Sequence, residues 1–323
     1  MFKSLKDGLS LINISLVVFT KHPKFLLPLL TTWIIYASSV IYIKYILDWD
    51  HFSESETAMI VLAVIFSWAV MLSLSCSILL ELIQQIETGG KPSILKAVFD
   101  TLTVNFLRLL PIIVLWSLIW FMLVLLETIF SKQGNDDDEE MTAENVAETL
   151  AGFESISLSD AFFQALQKGV RMVAFLIYPG VVWENLGPIA AFKKGIAVFK
   201  LRIKDFISGY LLTEMAATII YTPLIIVFVI RKAHFELPDI VWYLVIIYVG
   251  FAWSFSIYLE QMFVAELYLW HLKWEEACKT AQKSGKRLPS LNNVKPPSIL
   301  DDVPDLLPIQ KRDQYDGDTN IPT

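Results

Sequence analysis

The sequence predicts an all-α polytopic membrane protein with about six transmembrane helices and three amphipathic helices at the membrane interface. Three observations carry that prediction. The 323 residues are 55% hydrophobic and only 18% charged, where a soluble chain carries about a quarter. The mean hydropathy is +0.53. The apolar residues also fall in runs of about twenty or more, the length needed to cross a hydrocarbon core about 30 Å thick.

Residues 1–20 read as an amphipathic helix with Lys3 and Lys6, retained in the mature chain because no small-residue cleavage site follows. Pro23 separates it from a first span over about 25–47, and Asp48, Asp50, Glu54 and Glu56 then form an acidic loop. The second span covers about 58–83. Gly89-Gly90-Lys91-Pro92 is a turn and a helix start. Residues 93–108 form the second amphipathic helix, with Ile94, Val98, Leu102 and Phe106 on its apolar face. The third span is about 109–130, with Pro111 in its first turn, where a missing N–H costs little. Residues 131–158 are an extracytoplasmic loop containing Asp136, Asp137, Asp138, Glu139 and Glu140. That spacing matches no calcium loop, so a solvated, disordered connection is expected.

The fourth span, about 160–183, carries Asp160, Gln164, Gln167, Lys168 and Arg171 on one stripe. A break is expected at Pro179-Gly180. Gly187-Pro188 opens the third amphipathic helix, with Ile189, Phe192, Ile196, Phe199 and Ile203 on one side and Lys193, Lys200 and Lys204 on the other. The fifth and sixth spans are about 206–230 and 240–271. Residues 276–323 read as a disordered tail, with Pro289, Pro296, Pro297, Pro304 and Pro308 unsuited to packing.

Lys and Arg favour the N-terminal segment, the 84–108 and 184–205 connections and the tail, which puts both termini in the cytoplasm. Arg231 and Lys232 fall on the outer side and are the exception. Amphipathic helix, outward span and inward span recur over 1–88, 89–186 and 187–275, with similar junctions at Glu87-Thr88-Gly89-Gly90-Lys91-Pro92 and Glu184-Asn185-Leu186-Gly187-Pro188. A real threefold repeat would set the three amphipathic helices as a collar at the lipid interface, basic residues toward anionic headgroups.

Ionisable residues inside spans face protein or water by default. Arg171 is expected to pair with Glu214 or Glu260, and Lys168 with Glu127. Three readings follow: pairs that lock the bundle, a cavity whose Lys168 and Arg171 receive an anionic solute, or a segment lying flat at the outer surface. Catalytic and cofactor signatures are lacking, since no metalloprotease, nucleophile-elbow, Walker or dinucleotide motif occurs. His22, His51, His234 and His271 stand singly near span ends and suggest no metal site. Cys76 in an apolar run and Cys278 in a polar one imply no disulfide. Trp33, Trp49, Trp183, Trp242, Trp270 and Trp274 suit a membrane-interface aromatic belt. Nothing in the charge distribution points to nucleic acid.

The stretch Tyr178-Pro-Gly-Val-Val-Trp-Glu-Asn-Leu-Gly-Pro-Ile-Ala-Ala-Phe-Lys-Lys-Gly resembles an uncharacterised family of bacterial six-span membrane proteins, in which a span ending in Pro and an acid leads into a short basic helix. Residues 2–30 and Ala265-Glu-Leu-Tyr-Leu-Trp are similar to that family's opening and closing segments, although Gly195 stands where the family usually has Ser. The resemblance implies a polytopic fold and the bacterial inner membrane but no chemistry. In layout the chain is distantly similar to cysteine-pathway sulfate permeases, which implies anion passage by analogy. Two functions therefore lead, ahead of a membrane-embedded enzyme that lacks any nucleophile, base or metal set: a permease or channel for a small anionic solute using Lys168, Arg171, Glu127, Glu214 and Glu260, or a non-transporting accessory protein. The latter would bind a partner through its tail or lipid through Lys193, Lys200 and Lys204.

Overall fold

The structure, a computed structural model, describes residues 2–87, 90–130, 141–152, 158–233, 237–290 and 294. Among these residues every regular element is a helix, and six helices are long and apolar enough to cross a membrane. The five adjacent acids 136–140 lie outside the described residues, as do the side chains of Lys3, Lys6 and Asp160.

Helix α1 (Phe2–Lys21) leads through a turn at Pro23–Leu26 into α2 (Leu27–Tyr45), and α3 (Glu54–Glu87) returns. Next come α4 (Ile94–Asp100), a π-helical turn (Thr101–Asn105), α5 (Phe106–Phe130), α6 (Ala143–Ala151) and α7 (Leu158–Val182). The last unit is α8 (Pro188–Leu201), α9 (Ile203–Lys232) and α10 (Asp239–Lys283). The result is an all-α polytopic membrane protein. Exposed Ile34, Met59, Leu107, Met122, Ile219, Val229, Tyr243 and Ile247 give its spans an apolar outer surface suited to acyl chains rather than water.

Neighbouring elements pack in chain order. Spans pair as hairpins α2–α3, α5–α7 and α9–α10. Each amphipathic segment packs on the second span of the preceding unit, α4 on α3 and α8 on α7, and α1 closes the set against α9 and α10. The collar itself differs from expectation. In α1, Leu11, Ile12, Ser15 and Val18 are buried, and the Tyr258 hydroxyl donates to the Ser15 carbonyl at 3.0 Å, so this helix is built into the bundle. Residues 93–108 are not a separate surface helix either. The π turn joins α4 to α5 without a break, which leaves Pro111 inside a helix. In that turn Asn105 donates to Glu81 at 2.7 Å and Thr101 meets Ser77 at 3.3 Å, polar groups that the wider turn aims into the core.

Helix α8 packs through a face other than the one read from its large apolar residues. Its buried face is Ala191, Gly195 and Val198, while Ile189 and Phe192 are exposed. A Cβ on Gly195 would stand 2.7 Å from Cγ1 of Ile177, so the small residue sets how closely α8 approaches α7.

Pro179-Gly180 does not break α7, which continues to Val182. The real stop is Asn185 at φ 56°, a left-handed conformation that Asn tolerates, with the Leu186 amide donating back to the Gly180 carbonyl at 3.0 Å. Helix α10 is longer than its apolar run. Its 45 residues span about 68 Å, twice the hydrocarbon thickness, so its end projects beyond the membrane. Residues 276–283 are therefore helical rather than part of a tail. The segment after them is tied back by indole N–H groups, Trp274 donating to the Pro289 carbonyl at 3.0 Å and Trp270 to that of Val294 at 2.8 Å.

Candidate functional site

The spans do not close into a uniform ring. Helix α5 packs along α3 and α2 along α10, but α7 and α9 stand apart and are bridged by side chains. Tyr210 of α9 donates to the Ala165 carbonyl of α7 at 3.0 Å. A cavity of about 800 Å³ lies behind this gap, walled by residues of α2, α3, α5, α6, α7, α9 and α10. The polar stripe of α7 faces into it. Gln164, Gln167, Lys168 and Arg171, at intervals of three and four along the helix, all line its wall.

Arg171 grips Glu260 of α10 side-on, Nε to Oε2 at 3.0 Å and Nη2 to Oε1 at 2.9 Å. This two-pronged geometry is the strong form of the pair. Lys168 sits between two acids, donating to Glu214 of α9 and lying 3.5 Å from Oε1 of Glu260. Its ammonium is also 5.0 Å from the ring centre of Tyr210, within cation–π reach. Arg171 is eleven residues from the Val182 end of α7, about 17 Å at 1.5 Å per residue, which is mid-membrane depth.

Of the two acids expected for Arg171, Glu214 or Glu260, it takes Glu260. The expected pairing of Lys168 with Glu127 is not formed. Glu127 accepts from Gln167 at 2.8 Å, one position away on the helix, while Lys168 is turned inward to Glu214 and Glu260. The expectation of a cationic lining changes with it. Two bases face two acids, and the quartet is neutral. Exposure is uneven across it. The Lys168 and Glu260 side chains are 9% and 4% exposed, against 25% for Arg171 and 56% for Glu214.

Sequence reasoning missed the cavity's aromatic walls. Tyr36, Trp68, Trp120, Tyr210, Tyr221 and Trp253 all line it, with Tyr36 and Trp253 stacked at 5.8 Å and Trp68 donating to Ser39 at 2.8 Å. The mid-span positions of Trp68, Trp120 and Trp253 were the available signal, since an indole in the middle of a span is far from the headgroups that anchor interfacial Trp. The expected belt is also largely internal. Trp33, Trp183, Trp242 and Trp270 are buried, and Trp183 donates to the Leu80 carbonyl at 3.0 Å.

The 131–158 connection is folded where it is described, and α6 caps the cavity. Thr142 caps its N-terminus by accepting from the Asn145 amide at 3.1 Å, and Gly152 ends it at φ 68°. Thr149, Leu150, Ala151 and Gly152 form part of the cavity wall. Lys44 donates to Thr149 at 3.1 Å, the Tyr45 hydroxyl meets the same oxygen at 3.0 Å, and Arg231 pairs with both Glu144 and Glu148. Arg231, the exception to the charge rule, is thus the tether that holds α6 to α9.

A second polar cluster lies at the terminal end of the bundle. Lys194 joins Glu184 at 2.6 Å to Glu275 at 3.0 Å, the Tyr268 hydroxyl donates to Glu184, and His271 meets Glu275 at 3.1 Å. It unites the 178–195 and 265–270 stretches that carried the sequence resemblance. Arg202 lies flat on Trp270, 3.9 Å from the ring centre. Burial pulls its guanidinium down to about 10, against the opposing pull of Asp205. Lys193, Lys200 and Lys204 take no part and are exposed. Among the described residues no group of three His, Cys, Asp or Glu could hold a metal ion.

No family model, curated protein or solved structure matches the chain. The fold and site define the class: a six-span helical membrane protein with a charged, aromatic-walled cavity between its helices.

Proposed function

We propose that this protein is a permease-like membrane protein whose cavity receives a small polar solute at the quartet of Lys168, Arg171, Glu214 and Glu260. One observation carries the reading. The four charges lie on the wall of an 800 Å³ space instead of being sandwiched between close-packed helices. Ion pairs that only lock a bundle have no use for such a space, whereas ligand sites are concave, partly aromatic volumes of about 300–1,000 Å³ with a few placed polar groups. The gap between α7 and α9 supplies the lateral opening and α6 covers the opposite end from the termini. The anionic solute expected from sequence rested on Lys168 and Arg171 as a cationic lining, and with Glu214 and Glu260 beside them that lining carries no net charge.

The finer placement rests on charge distribution. Exposed Lys193, Lys200 and Lys204 beside outward-facing Ile189 and Phe192 support α8 lying among anionic headgroups on the cytoplasmic side of a bacterial inner membrane, with both termini on that side. An accessory role through a tail-bound partner is the second reading, favoured by the Trp274 and Trp270 indoles that hold the Pro289 and Val294 carbonyls.

Osmotic swelling of proteoliposomes tests the permease reading, using a panel of anionic, cationic and zwitterionic solutes below about 200 Da, a size this cavity admits. Swelling above empty vesicles for at least one solute, abolished by Lys168→Gln with Arg171→Gln in a protein that still folds, supports it. Baseline swelling across the panel sinks it.

A further inference from the structure

From the exposed ends of the quartet and the aromatic walls, we infer that the cavity selects a zwitterion, binding its alkylammonium end beside Glu214 and its acidic end at Arg171. The inference rests on the solute reading above and names the class of solute. It starts from charge balance. The bound site is mid-membrane, where an uncompensated charge is costly, and the empty quartet already sums to zero. An anion or a cation would leave the site with a net charge, and a zwitterion would not.

The geometry then says where each end goes. Glu214 holds Lys168 through Oε2 only, and with 56% of its side chain exposed it is the acid that the cavity presents. Glu260 is 4% exposed and is gripped on both oxygens, so it is not available. Arg171 uses Nε and Nη2 on Glu260, which leaves Nη1 outside that pair in a side chain still 25% exposed. One acid and one base therefore remain presented, on facing helices, with Lys168 beneath them as the buried bridge. The rings of Tyr36, Tyr210, Tyr221 and Trp253 surround the same space. Aromatic faces attract cations through the ring quadrupole, most effectively where water is excluded, and cages of such rings recognise alkylated ammonium groups. A free anion would meet the exposed Glu214 carboxylate.

Ligand binding to the detergent-solubilised full-length protein tests this through the intrinsic fluorescence of the cavity indoles. The probes are carnitine and glycine betaine (zwitterions with quaternary ammonium), acetylcholine (the cation without the acid) and adipate (the dianion). The expected result is saturable quenching by at least one zwitterion at least tenfold tighter than by acetylcholine or adipate. Glu214→Gln keeps the oxygen that receives Lys168 and should weaken zwitterion binding at least tenfold while leaving the melting temperature within a few degrees. Tyr221→Leu, away from the ion pairs, should weaken it without touching the quartet, which guards against a folding artefact in the first variant. Tighter binding of adipate or acetylcholine than of both zwitterions overturns the inference, as does equal binding of all four or of none. In those cases vesicle swelling by any panel solute leaves the permease reading standing, whereas absence of swelling removes both.

Discussion

Replacing Glu260 by Gln is the substitution that strains the quartet most. The side chain is 4% exposed and accepts both prongs of Arg171, at 2.9 and 3.0 Å, with Lys168 at 3.5 Å. Glutamine has the same shape but no charge, and its amide turns one acceptor into a donor facing a guanidinium. Two basic groups at mid-membrane depth would then share Glu214 alone. Removing one partner of a buried pair costs about 3–5 kcal/mol, and Arg171 is 25% exposed toward the cavity, so the lower end, about 3 kcal/mol, is expected. Equilibrium unfolding in mixed detergent micelles measures it. Arg171→Gln in the same background should recover part of the loss, with a coupling of about 1–3 kcal/mol between the two positions. A loss below about 1 kcal/mol for Glu260→Gln, with the two substitutions additive, would refute the reasoning that the pair is desolvated and mutually dependent.

Three further outcomes are expected. Gly209→Ala should destabilise by about 1–3 kcal/mol, because its Cβ would collide with the Phe263 ring between α9 and α10, and differential scanning fluorimetry in detergent reads the loss. Arg231→Ala releases Glu144 and Glu148 of α6 from α9; these pairs are roughly a third exposed and each contributes under about 1 kcal/mol, so amide exchange over 143–151 should accelerate while global unfolding barely moves. Deleting residues 288–323 removes the carbonyls that receive the Trp270 and Trp274 indoles. Indole emission should shift to the red, and loss of a co-purifying protein with that deletion would favour the accessory reading.

The spans were legible because a hydrocarbon core imposes one length on every crossing, and the stripe on α7 because helical spacing brings Gln164, Lys168 and Arg171 to one side. That Arg171 pairs with an acid, Glu214 or Glu260, followed from the demand that a mid-membrane charge find a partner. Which acid Lys168 takes was not legible, since Glu127 and Glu214 are both one helix away and only the rotation of α7 chooses between them. Amphipathicity likewise revealed that α1 and α8 have two faces without saying which face meets protein. In α8 the small residues Ala191 and Gly195 do, because close approach outweighs bulk there. The folding of α6 was hidden because a nine-residue helix next to an acidic run gains its order from packing on α10 and from Arg231, Lys44 and Tyr45, all far away in sequence.

The central claim is that the four charges border a water-filled chamber and are not dry glue. Cysteine accessibility measures this directly, in a background with Cys76 and Cys278 replaced. Ala217→Cys lies on the cavity wall, and Ile219→Cys, 71% exposed on the outer apolar surface of the same helix, faces lipid. In reconstituted vesicles a membrane-impermeant charged methanethiosulfonate should modify position 217 and spare position 219. Modification of neither, or of 219 in preference to 217, would contradict the account.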